Sequence, residues 1–230
     1  MGSACRIANV LVALSCLWAG GGCGDSPDPK LQAEIDGFVR NLQVSDKKYV
    51  GKVPFQRLPP AVGQWVEYLA HDGAGDPFLV RQELVGEEGG AFWLQQTQTT
   101  YLERSWIKLL VSNIEARDPS QIEVRRVFHK DTEGQILEVG EAVGIWNNDL
   151  RRHVALELSG DRTTTVTVPA VTFENSVMQQ VAAGDQRINE WLNSEVPVWG
   201  TVKTMWGGEN ERWELTAFGL TGAKDVFVEK

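Results

Sequence analysis

VGQWVEYLAHDGAGDPFLVRQELVGEEGGAFWLQQTQTT, residues 62 to 100, is the stretch that decides the fold. Three runs in it are rich in β-branched and aromatic residues: Val62 to Ala70, Phe78 to Gly86 and Ala91 to Thr100. Between the first two lies AHDGAGDP, with an Asp-Gly and an Asp-Pro pair, and between the last two lies EEGG. Runs of this length separated by such turn formers predict three strands in an antiparallel meander.

The same texture continues downstream. Ser105 to Asn113 suits a helix or a buried strand, and Ile122 to Lys130 pairs with Gln135 to Val139 around a turn. Val154, Leu156 and Leu158 alternate with Ala155 and Glu157, as in a half-buried strand. Thr163 to Val168 is a strand ended by Pro169. Two hairpins follow, Phe173 to Val181 with Arg187 to Leu192, and Val198 to Trp206 with Arg212 to Leu220. The expected fold is mainly β, one domain over residues 50–230, with at most one short internal helix.

Upstream the pattern is helical. Asp28 and Pro29 read as an N-cap and first turn. Leu31, Ile35, Phe38, Val39 and Leu42 then fall on one stripe of a helix, so residues 30–49 form a helix and a connector. This helix either packs on the domain's own core or lies in a groove as a lid.

The first 22 residues have the three parts of a secretory signal. Met1 to Arg6 carries one positive charge, Ile7 to Leu17 is apolar, and Trp18 to Gly22 is a small-residue run. The apolar part is about eleven residues, short of the roughly 20 that span a membrane. All three cysteines, Cys5, Cys16 and Cys23, sit at this end, so the body has no disulfide. A cysteine between small residues and the polar GDSPDP stretch is the substrate of lipoprotein processing. Cys23 is therefore the expected lipidated residue, with 23–29 as a tether. Cys16, after Ala13-Leu14-Ser15, is the competing site, since Gly20 stands where lipoprotein signals place Leu. Gly24 follows Cys23, and an Asp there would favour inner-membrane retention, so the expected address is the outer membrane, facing the periplasm.

The chain has 31 acidic against 22 basic residues and a net charge of −9. With no basic stripe, this argues against nucleic acid and against electrostatic attachment to anionic lipid. The membrane link would rest on the acyl chains.

The C-terminal third carries a phrase of its own. Trp191-x-Asn193-x-x-Val196-Pro197 is followed by Gly200, Val202 and Lys203, then by Gly219-x-Thr221-Gly222-Ala223-Lys224. With Gly63-Gln64-Trp65-Val66 and Phe92-Trp93-Leu94, it resembles uncharacterised bacterial lipoproteins. Their fold is similar to the curved, incompletely closed β-barrel of the LolA and LolB lipoprotein carriers. The resemblance implies a half-barrel with a helix over its mouth, able to shelter acyl chains or an apolar peptide. No binding residue carries over from the carriers.

For catalysis the sequence offers little. His71, His129 and His153 are the only histidines, none has triad or metal spacing, and all read as surface residues. Asp25-Ser26 echoes a lipase motif but sits in the tether. Asp72, Asp76, Glu87 and Glu88 lack the calcium-loop pattern, and no phosphate-binding glycine motif occurs. Arg125-Arg126 and Arg151-Arg152 read as solvated faces. The expectation is thus a non-catalytic lipoprotein without metal or cofactor. It either binds an apolar ligand such as a lipid or acyl chain, or docks another envelope protein. In the first case Trp65, Trp93, Trp106, Trp191 and Trp206, with Trp199 and Trp213, would partly line a concave face.

Overall fold

The computed structural model describes residues 26–43, 45–158, 162–169, 171–206 and 211–228. The signal segment, Cys16 and Cys23 lie outside the described residues. Among the described residues the structure is mainly β: a single sheet of thirteen strands that does not close, with two α-helices.

Helix α1 spans Pro29–Asn41. Asp28 caps it, its side chain accepting from the Lys30 backbone N–H at 2.7 Å, and Pro29 sits at the first helical position, where no amide donor is needed. Ile35, on the apolar stripe, is fully buried. Leu31 and Phe38 are half-buried, and polar contacts complete the docking. The Asp28 backbone N–H donates to the Tyr101 carbonyl, the Tyr101 hydroxyl donates to Asp36, and Arg104 pairs with Glu34.

The strands are β1 (Lys48–Val50), β2 (Trp65–His71), β3 (Pro77–Glu88), β4 (Ala91–Thr99), β5 (Arg104–Ser112), β6 (Glu123–Lys130) and β7 (Ile136–Glu138). After helix α2 (Gly140–Arg152) come β8 (His153–Leu158), β9 (Thr164–Val168), β10 (Val171–Ala183), β11 (Gln186–Leu192), β12 (Thr201–Trp206) and β13 (Glu211–Gly219). The ambiguous stretch around Trp106 is thus a strand. The order along the sheet is β1-β10-β11-β12-β13-β2-β3-β4-β5-β6-β7, with β8 and β9 on the other side of β10. Every pairing is antiparallel except β1 with β10.

Register fixes which side chains face inward. Tyr68 lies opposite Val80 and Leu215, Leu94 opposite Leu84 and Leu109, and Ile188 opposite Val181 and Trp206, and all of these are buried in one core. Tyr49, Phe173 and Phe218 close one part of it, with ring centroids 5.0 to 6.1 Å apart. Helix α2 follows β7, packs on β6 and β8, and buries Ala142, Trp146 and Leu150 in the core. It therefore links the two free edges of the curved sheet.

The opposite face of the sheet carries a strap. After β13 the chain crosses β2 to β6, held by polar side chains that face outward. Trp65 Nε1 donates to the Thr221 carbonyl at 3.0 Å. Gln95 Nε2 donates to the Lys224 carbonyl at 3.0 Å, and Gln95 Oε1 accepts from the Val226 N–H at 2.8 Å. Lys108 pairs with Asp225, and Lys130 Nζ donates to the Val226 carbonyl. Gly219 is required here, because a Cβ on it would lie 2.4 Å from Trp65 Nε1. The phrase from Gly219 to Lys224 thus encodes the strap's first half.

Gln95 is fully buried by the strap and also donates to Glu83 at 2.9 Å. Gln95→Ala leaves these groups unpaired, at a cost of about 2 kcal/mol. Urea denaturation should show that loss, and trypsin should cut after Lys224 faster than in the wild type. An unchanged cleavage rate would mean that Gln95 does not hold the strap.

Candidate functional site

A partly enclosed cavity of about 70 Å³ opens into the interior of the half-barrel. Tyr68 of β2, Gln82 of β3, Gln179 of β10, Glu190 of β11 and Trp213 of β13 form its floor and walls. Arg57, Trp199 and the segment from Ala116 to Ile122 stand around them. On the same measure one water needs roughly 10–15 Å³, so the space suits about half a dozen non-hydrogen atoms.

Glu190, Arg57, Gln82 and Gln179 bring polar groups to an otherwise largely apolar lining. Glu190 lies between Ile188 and Leu192 in the alternation of β11, which turns it inward among apolar neighbours. Protein surrounds it, yet part of its surface faces the cavity. Neither of its oxygens has a hydrogen-bond or ion-pair partner among the described residues. Burial pushes its pKa up to about 7, against the opposing pull of Arg57.

Arg57 commits one nitrogen, Nη1, to the carbonyls of Ile114 and Ala116 at 3.4 and 3.2 Å. Among the described residues its buried Nε has no acceptor, and neither does the buried Trp199 Nε1. Burial lowers the Arg57 pKa, while Glu190 raises it. The Tyr68 hydroxyl donates to the Thr201 carbonyl at 3.1 Å, and burial first, then Glu190, raises its pKa.

Backbone strain brings Trp199 to this site. Val198 has φ +63°, a left-handed conformation that a β-branched residue rarely adopts, and its side chain is buried. It sits in a turn closed by the Gly200 N–H donating to the Pro197 carbonyl. The strain is offset by packing of Val196 and Val198 in the core.

The seven tryptophans named from the sequence do not share one surface. Trp199 and Trp213 line the cavity. Trp206 is fully buried beside Trp213, with ring centroids 5.8 Å apart. Trp191 is half-buried, in register with Met178 and Lys203, on the side of β11 opposite Glu190. Trp65, Trp93 and Trp106 lie on the outer face with the strap. The Arg81 guanidinium sits 4.0 Å over the Trp65 ring, Trp93 packs on Phe128 at 5.6 Å, and Trp106 registers with Thr97 and Lys130. Helix α1 contributes no residue to the cavity, so it is not the lid that the resemblance implies.

The histidines also need a correction, because His153 is buried. Its Nδ1 donates to the Asp149 carbonyl at 2.7 Å, at the junction of α2 and β8, away from the cavity. His71 and His129 are half-buried. Among the described residues no three His, Cys, Asp or Glu side chains gather to hold a metal ion. No family model matches the chain, and no curated protein matches it.

Sequence reading does not single out Glu190, Arg57 or the 113–122 segment. A signal exists for Glu190: in Ile188-x-Glu190-x-Leu192 a carboxylate shares a face with two buried aliphatic residues.

Proposed function

We propose that the protein is a lipoprotein, acylated at Cys23 and anchored in the outer membrane facing the periplasm, whose half-barrel is a non-catalytic binding domain. The observation that carries the binding role is the unpartnered Glu190 carboxylate in a cavity walled by Tyr68, Trp199 and Trp213. The cavity is too small for an acyl chain and two charged side chains, Glu190 and Arg57, line it, so it favours a small polar ligand over the lipid that the resemblance implies. No Ser, Cys or His is among its lining residues, and one carboxylate alone does not supply an acid and a base.

The anchor rests on the leader. Cys23→Ser should move the protein from the membrane to the soluble fraction, whereas an unchanged fractionation would place the lipid elsewhere, with Cys16 next to test. Native mass spectrometry of the protein from its own membrane tests the binding role. A small co-purifying mass supports it, and a co-purifying lipid would restore the acyl-chain reading.

A second reading has one observation in its favour. Val154 and Leu156 are exposed on β8, a strand that among the described residues pairs only with β10. Such an edge suits docking of another envelope protein. A co-purifying protein in the same spectrum would support it.

A further inference from the structure

We propose that the cavity takes a small zwitterion, its ammonium on Glu190 and its carboxylate on Arg57, beside the Trp199 ring. This rests on the binding role proposed above and names its ligand.

Three observations carry it. First, the site holds both signs of charge, unjoined. Glu190 and Arg57 line the same cavity and each shifts the other's protonation, yet Glu190 forms no ion pair with a described residue. Two buried opposite charges that do not meet are costly unless something joins them. Second, the unsatisfied groups are of both kinds. No described residue donates to Glu190, while the Arg57 guanidinium lines the same cavity with Nη1 its one nitrogen bonded to a described residue. A simple cation would leave the donors unmatched, and a simple anion would face Glu190. Third, the size fits. About half a dozen non-hydrogen atoms is the size of a small α-amino acid. Arg117, exposed at the rim, adds positive charge where the carboxylate would enter. Tyr68 and Trp213 supply apolar walls for a short side chain.

The probes are L-alanine and its two half-ligands, propionate and ethylammonium. They are titrated calorimetrically into the full-length protein in detergent at about pH 8, where Glu190 is ionised. A half-ligand forgoes the charge-assisted hydrogen bonds at one end, which should weaken its binding about ten-fold or more. Alanine should therefore bind at least that much tighter than either half-ligand. Glu190→Gln should abolish the advantage of alanine over propionate, weakening alanine while propionate, freed of the facing anion, binds as well as before or better. Tryptophan fluorescence from Trp199 and Trp213 should respond to alanine, and thermal melting of the variant confirms that it folds.

Propionate or ethylammonium binding as tightly as alanine would overturn the zwitterion. So would the absence of any response to alanine. In that event a different small molecule co-purifying from the native membrane leaves the binding role standing, whereas a bare protein removes both.

Discussion

Wild-type protein should lose stability as pH rises from about 5 to about 8, and Glu190→Gln should remove most of that slope. Burial raises the folded-state pKa of Glu190 to about 7, against an ordinary 4.5. Between those values the folded chain holds a proton that the unfolded chain has released. The unfolded state binds fewer protons there, so stability falls with rising pH. The contribution is fully present below 4.5, is lost as pH rises through 7, and is flat beyond. A shift of this size corresponds to ~3 kcal/mol across the window.

Other groups overlap this window, and the variant separates them. His71 is lowered by burial and by Arg212, so it acts in the opposite sense, with stability rising as the pH passes its depressed pKa. Asp149 and Glu211, raised by burial, act in the same sense as Glu190. The quantity to measure is the difference between wild type and Glu190→Gln in urea denaturation across that range. The variant should gain on the wild type as pH rises, because it removes a buried charge without removing volume. Parallel curves would mean that Glu190 is not held in a low-dielectric site, and the zwitterion proposed above would lose the buried anion that holds its ammonium.

That carboxylate also marks where sequence reading stops. Strand existence is legible from Val62 to Thr100 because each run is long and bounded by strong turn formers. Facing is less so, since period-2 alternation needs one wet face. In β4 both Gln95 and Gln96 are buried, one under the strap and one toward Gln82, so the row shows no alternation to read. The same strap explains the tryptophans. Trp65 and Trp93 stand on the outward rows, and Trp65 is bonded to Thr221, 156 residues away, which local pattern does not reveal. Helix α2 is not legible, and the one segment that suits an internal helix, Ser105 to Asn113, forms β5 instead. Its sequence, GEAVGIWNNDLRR, holds two glycines and two asparagines, and no side chain caps it. The stripe of Ala142, Trp146 and Leu150 against β6 and β8, with Asn147 hydrogen-bonded to the Val124 backbone, stabilises it as a helix. Strand β1 is three residues long and exists through its pairing with β10.

Asn193→Ala should cost about 3 kcal/mol and lower the melting temperature by roughly 6–12 °C. Asn193 is the third residue of the phrase that starts at Trp191, and it is fully buried. Its Nδ2 donates to the Glu174 carbonyl at 2.9 Å and to Ser176 Oγ at 3.2 Å, and its Oδ1 accepts from the Glu195 N–H at 3.0 Å. Its backbone N–H donates to the Gly200 carbonyl at 2.8 Å. One side chain thus joins the irregular part of β10, where register shifts between Phe173 and Ser176, to the corner that carries Trp199. Alanine removes three hydrogen bonds and leaves buried partners unpaired. Asn193→Asp should be worse, because it sets an oxygen, charged at neutral pH, against the Glu174 carbonyl. A fold that used Asn193 only for its volume would rank the two substitutions the other way. The corner also stores the strain at Val198, so loosening it should let Trp199 leave the cavity. Trp199 fluorescence in Asn193→Ala should then lose its response to alanine well below the melting temperature. A response retained in the destabilised variant would show that the corner holds the fold but does not position the binding wall.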